Sequence, residues 1–194
     1  MPDNRGHGES DDAVVSFGVR ERHDVRQWGD WLCERLKLER YYLLGQSMGA
    51  AIGMLALPLD TRIAGYVSEA CFTHFAEAAL RRLIDRHFFG QQWAAALFLP
   101  VLGYGYLYGR ARYGTDLRQS APEAVMPGLR IPVLLIHGTA DRTIPPDSIH
   151  ALHALNPGWT ETFVVEGAGH TECFARGGDE YKRRVTGFLS RIRD

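Results

Sequence analysis

The chain has 194 residues, with 22 Lys and Arg against 23 Asp and Glu, for a net charge of −1. Its 45% hydrophobic and 23% charged residues suit a single globular domain with a core, and the absence of a basic block argues against a nucleic-acid-binding role. Cys33, Cys71 and Cys173 show neither metal spacing nor a disulfide framework, their odd number fits a reducing compartment, and the eight scattered histidines imply no metal or cofactor.

The first predicted helix spans residues 20–37, where Val25, Trp28, Trp31, Leu32 and Leu36 recur at helical spacing with Arg, Asp and Glu between them. It is expected to pack on a sheet. Arg40-Tyr41-Tyr42-Leu43-Leu44 reads as a short buried strand. It is followed by Gly45-Gln46-Ser47-Met48-Gly49 and then by an apolar helix from Ala50 to Leu57. Strand, G-x-S-x-G and helix form the context of a nucleophile elbow, where glycines permit a tight turn and the serine oxygen stands exposed at the strand end. A second strand over residues 63–68 leads to Glu69.

Residues 72–128 form a long insertion before the next strand. A helical pattern from Phe75 to Phe89 is followed by an apolar run from Trp93 to Tyr108, which is broken by Pro and Gly and too short for a membrane span. The expectation is a set of helices that bury their own apolar face; the alternative is a wall that contacts an acyl chain or a membrane surface. Val133-Leu134-Leu135-Ile136-His137 is a buried strand, with Asp141 on the loop after it. Thr162 to Val165 is another strand, with His170 on the glycine-flanked loop that follows. A final amphipathic helix runs from Glu180 to Ile192 and carries Tyr181, Val185, Phe188, Leu189 and Ile192 on one face.

Ser47, Asp141 and His170 each follow a strand, in the chain order of an α/β-hydrolase triad. The chain resembles the α/β-hydrolase superfamily, in its branch of serine esterases, lipases and related acyl hydrolases. The resemblance is carried by Asp3-Asn4-Arg5-Gly6-His7-Gly8-Glu9-Ser10, the Ser47 elbow, His137 through Pro145, and Gly167-Ala168-Gly169-His170. It covers nearly the whole chain and implies an α/β fold with a mostly parallel sheet, flanking helices and residues 72–128 as a lid. Asp3 to Ser10 resembles the loop after the fourth strand of that fold, so the N-terminal half of the sheet is expected to be missing.

The implied chemistry is a serine hydrolase that cleaves a carboxylic ester, thioester or small amide through an acyl-enzyme. His170 would take the Ser47 proton as general base and Asp141 would orient the imidazole and stabilise the imidazolium. The Met48 N–H would be one oxyanion donor, and a second donor, normally on a loop after the third strand, is expected to be absent. The substrate would be an apolar acyl compound. Glu69 is a second candidate for the acid, and Cys173 close to His170 raises a Cys-His pair as a lesser reading. The alternative function is a catalytically silent fragment or interaction domain with an incomplete oxyanion hole.

Overall fold

The computed structural model describes residues 2–87 and 99–192. Its sheet has four strands, β1 (Tyr41–Gln46), β2 (Ile63–Glu69), β3 (Val133–Gly138) and β4 (Thr160–Val165), in the spatial order β1-β2-β3-β4 with every pair parallel. Parallel neighbours need a crossover. α1 (Glu21–Leu36) precedes β1, and α2 (Met48–Ala56) connects β1 to β2. Between β2 and β3 lie α3 (Phe75–His87), α4 (Leu99–Tyr113) and a single helical turn over Pro122–Val125. Then α5 (Asp147–Leu155) connects β3 to β4, and α6 (Cys173–Arg191) follows β4.

Both faces of the sheet are covered, which is why β2 and β3 are buried along their whole length. Alternation sends Val133 and Leu135 into a core shared with Cys33 of α1, Met54 of α2 and Leu152 of α5. Leu134 and Ile136 enter the opposite core, with Phe163, Tyr181 and Phe188. The fold is therefore the expected α/β architecture, with a sheet of four strands.

Three local expectations differ from what is found. β1 is buried on one face only: Tyr41 is in the core, while Tyr42 and Leu44 are exposed. The α6 layer packs over β2, β3 and β4, and the even-numbered face of β1 lies beyond it. Second, α1 docks through Gly29 and Cys33, leaving Trp28, Trp31 and Leu36 exposed. A Cβ at Gly29 would collide with the Tyr41 hydroxyl and the Asp60 carboxylate, so the helix approaches through its smallest residue and not its largest. Third, α6 begins at Cys173, well before Glu180, and breaks at Gly178, whose φ of 49° only glycine takes up readily. Beyond the break the expected face holds: Tyr181 and Phe188 are buried and Val185, Leu189 and Ile192 pack beside them.

Within 72–128 the apolar run is also unlike the expectation. Leu99 to Tyr113 is one continuous helix despite Pro100 and three glycines, because proline at the start of a helix costs no intrahelical hydrogen bond. None of its residues is buried. Leu99, Val101, Leu102, Tyr104, Leu107 and Tyr108 are spread around the axis, so no single face could be buried at once. Phe89 and the stretch from Trp93 to Phe98 lie outside the described residues. Among the described residues no helix is long and apolar enough to cross a membrane.

Candidate active site

Ser47 sits between the last residue of β1 and the first of α2, at φ 54° and ψ −119°. A serine in that region is strained, and the turn persists because its surroundings hold it. The Ser47 N–H donates to the Glu69 carbonyl at 2.9 Å, and the Ser47 carbonyl accepts from the N–H groups of Ala50 and Ala51. The two motif glycines have different roles. A Cβ on Gly45 would run into the Gly49 carbonyl and the Tyr66 hydroxyl, whereas a Cβ on Gly49 would meet nothing within 4 Å. Met48 opens α2, so its N–H has no carbonyl one turn behind it and is free for an acceptor beside Ser47.

Asp141 lies on the turn after β3 and His170 on the loop after β4. The two loops are stitched together by the Ala140 N–H to the Ala168 carbonyl, 2.9 Å, and the Gly167 N–H to Thr139 Oγ1, 2.8 Å. His170 Nε2 is 2.8 Å from Ser47 Oγ, and His170 Nδ1 is 2.8 Å from Asp141 Oδ2. The carboxylate only accepts, so the Nδ1 proton is assigned to the Asp141 side, which leaves Nε2 as the acceptor facing the serine hydroxyl. The structure thus brings the three predicted residues into one hydrogen-bonded chain.

The Asp141 carboxylate is fully buried, whereas 23% of the His170 side chain is exposed. Burial alone would raise the Asp141 pKa, but hydrogen bonds from His137, from His170 and from the N–H groups of Ile144 and Thr143 outweigh it and hold the carboxyl well below the usual range. The sequence marks His137 as a strand end and as the first residue of the His137–Pro145 segment, without a role of its own. Its Nε2 is 3.2 Å from both Asp141 Oδ2 and the Ile144 carbonyl. Both partners are acceptors, so Nε2 carries a proton, and His137 is a second donor that steadies the carboxylate.

Ser47 and Met48 open on a cavity of about 420 Å³ walled by Phe17, Phe72, Phe75, Leu83 and Ile144, with Arg82 the one charged side chain among the described lining residues. Phe17 has no counterpart in the sequence reading. It is held at φ 53° and stacks on Phe75 with ring centroids 3.9 Å apart. Buried Glu21 fixes this bend by accepting from the N–H groups of Ser16 and Gly18, at 2.7 and 2.8 Å. No local pattern announces such a wall, because it forms only when the loop before α1 meets α3.

Glu69 is buried at the end of β2, but its carboxylate accepts from Gln46 Nε2, the Cys173 N–H and the Tyr181 hydroxyl. The His170 Nδ1 proton faces Asp141 instead. The Cys173 thiol is buried, and burial with Glu69 and Asp141 nearby pushes its pKa up to about 12, so it holds its proton and cannot serve as a thiolate nucleophile. His74 is half-buried and His150 exposed, and the His87 side chain lies outside what is described. Among the described residues no group of three or more His, Cys, Asp or Glu could hold a metal ion.

Comparison with known proteins gives curated relatives that carry no assigned activity. The chain is 25% identical to the uncharacterized protein YqkD of Bacillus subtilis over 99% of its own length and 62% of the relative's. It is 30% identical to the uncharacterized protein YfhR of Salmonella typhimurium over 90% of its own length and 55% of the relative's. The chain thus spans little more than half of these proteins. Among solved structures, the Pyrococcus furiosus esterase Pf2001 superposes with a TM-score of 0.73 at 21% identity, covering 97% of this chain and 68% of that one. At that identity the likeness speaks for the fold alone. The model of the alpha/beta hydrolase fold family matches residues 1–106, more than half of the 194, and with the parallel sheet covered on both faces this places the chain in the α/β-hydrolase family.

Proposed function

We propose that the chain is a serine hydrolase that cleaves a carboxylic ester, thioester or small amide of an apolar acyl group through an acyl-enzyme on Ser47. The observation that carries this reading is the pair of 2.8 Å contacts, Ser47 Oγ to His170 Nε2 and His170 Nδ1 to Asp141 Oδ2, at the mouth of an apolar cavity. His170 removes the hydroxyl proton as Ser47 attacks the carbonyl carbon, then returns it to the leaving group. Asp141 holds the imidazole in the tautomer that leaves Nε2 free and offsets the charge of the imidazolium. The Met48 N–H, at the positive end of α2, donates to the developing oxyanion. Water then repeats the cycle on the acyl-enzyme.

The helical insertion at residues 72–128 takes part as a lid in this reading. α3 turns Phe75, Ala78, Arg82 and Leu83 to the cavity, so its placement shapes the acyl pocket. An esterase among the structural neighbours agrees with ester chemistry, although one fold hosts many chemistries. The test is fluorophosphonate labelling of the 194-residue chain, with the adduct located by peptide mass. An adduct on Ser47 that disappears in His170→Ala, together with ester turnover lost in Ser47→Ala, is the expected result. Turnover that persists in Ser47→Ala refutes the assignment. No adduct at all favours the silent-domain reading.

A further inference from the structure

We propose that Glu69, working with Gln46, is the positioning residue that sets the separation of Ser47 and His170. The proposal rests on the reading of the site given above. It starts from a mismatch between the cost of Glu69 and its apparent use. The residue is 2% exposed, and its carboxylate's hydrogen-bond partners among the described residues, Gln46, the Cys173 N–H and Tyr181, carry no positive charge. A buried carboxylate without a counter-ion is expensive, and a packing role alone would be filled more cheaply by an apolar side chain.

Its carboxylate supplies acceptors to three segments at once. Oε1 takes the Gln46 Nε2 proton at 3.0 Å and the Cys173 N–H at 3.2 Å, while Oε2 takes the Tyr181 hydroxyl at 3.0 Å. Gln46 is the residue before the nucleophile, and Cys173 opens the helix that follows the histidine loop. The Glu69 main chain joins the same junction, since its carbonyl accepts the Ser47 N–H at 2.9 Å. Gln46 completes the bridge by donating from the same Nε2 to the Thr171 carbonyl at 3.1 Å. One buried side chain is thereby tied to the neighbour of Ser47 and to the residues just after His170.

The histidine loop needs such a tie. Thr171 stands at φ 61°, a region that β-branched residues rarely occupy, so released from its partners it would relax. The loop is fastened to the Asp141 side by the Ala140–Ala168 and Gly167–Thr139 hydrogen bonds. On the Ser47 side the side-chain tie is Gln46, which Glu69 holds in place. Cutting it leaves His170 on Asp141 but lets the imidazole drift from the serine. A drift of about 1 Å is enough to cost on the order of a hundredfold in rate.

The variants Gln46→Ala, Glu69→Ala, Glu69→Gln and the Gln46→Ala/Glu69→Ala double test this on the 194-residue chain. The readouts are kcat and KM for p-nitrophenyl butyrate, the fluorophosphonate labelling rate, and the downfield proton NMR signal of His170 Nδ1–H. Gln46→Ala and Glu69→Ala are expected to lower kcat and the labelling rate together by about tenfold or more with KM little changed, while the Nδ1–H signal persists. The double variant is expected to be no worse than Glu69→Ala, because the two residues form one tie. Glu69→Gln is expected to restore most of the rate: its oxygen can accept from Gln46 and Cys173 while its amide donates to Tyr181. Wild-type kcat in both alanine variants overturns the proposal, as does additive loss in the double variant or a Glu69→Gln as damaged as Glu69→Ala. If Glu69→Ala does not fold, Gln46→Ala decides, since its side chain is exposed. Turnover in Ser47→Ala would instead sink the site assignment itself, whatever Glu69 does.

Discussion

Asp141→Asn is the substitution whose outcome the geometry constrains most tightly. The two carboxylate oxygens are not equivalent. Oδ1 accepts the N–H groups of Thr143 and Ile144 at 2.8 and 3.0 Å, and Oδ2 accepts from His170 and His137. An asparagine must put its NH₂ group at one of these places. At Oδ1 it would face two backbone donors that cannot change. At Oδ2 it faces His170, which can change tautomer, and His137, whose Nε2–H can still donate to the Ile144 carbonyl. The amide oxygen therefore stays at Oδ1, and His170 shifts its proton to Nε2 in order to accept at Nδ1. Nε2–H then points at Ser47 and cannot take its proton. A triad locked in the wrong tautomer loses on the order of 10⁴ in kcat, about 5.4 kcal/mol of barrier. Replacing charge-assisted hydrogen bonds by neutral ones costs stability of only about 1–2 kcal/mol, a fall in Tm of roughly 2–8 °C for a chain of this size. The assay is hydrolysis of p-nitrophenyl butyrate per folded protein, with circular dichroism as the check on folding. An Asp141→Asn protein that keeps its fold and works within tenfold of wild type would refute the tautomer argument and the place of Asp141 in the site.

Other outcomes follow from the same contacts. Gly45→Ala is expected to lose about 1–3 kcal/mol by overpacking, because its Cβ meets the Gly49 carbonyl. Gly49→Ala, with open space around it, is expected to gain about 0.5–1 kcal/mol from helix propensity, and urea titration of both separates them. Phe17→Ala opens the wall beside Phe75 and is expected to shift the ratio of kcat/KM from butyrate toward octanoate esters by about tenfold or more; an unchanged ratio removes Phe17 from the pocket wall. Glu21, Asp60 and Asp141 all have pKa values lowered in the folded state, because hydrogen bonds from Ser16 and Gly18, from Arg62 and Tyr41, and from His137 and His170 outweigh the desolvation that would raise them. Their contribution is therefore complete above the unfolded values near 4 and lost as pH falls below them. Tm should drop on acidification through about pH 4, less steeply in Glu21→Gln, and an identical slope in the variant would refute that share.

What the sequence made legible is whatever depends on local pattern. β2 and β3 begin as apolar runs, residues 63–67 and 133–136, because both of their faces are covered. Ser47, Asp141 and His170 could each be placed at a strand end because turn residues mark those ends. Contacts between distant loops left no such trace. The Phe17 wall, the His137 donor and the Gln46–Glu69 bridge exist only once their elements are packed. Helical spacing also identified an apolar stripe on α1 that includes Trp28 and Trp31, yet spacing says nothing of how closely the neighbouring element approaches. That distance was decided by Gly29 against Tyr41.

The spatial order of the strands repeats their order in the chain. β2, β3 and β4 therefore each find a neighbour already made as they emerge during synthesis, and none of them has to thread between two earlier strands. Ser47 follows β1 and His170 follows β4. While β2, β3 and β4 are being made, Ser47 lacks the imidazole that stands 2.8 Å from it in the folded chain. On the function proposed above, hydrolysis begins only once β4 and the His170 loop are in place.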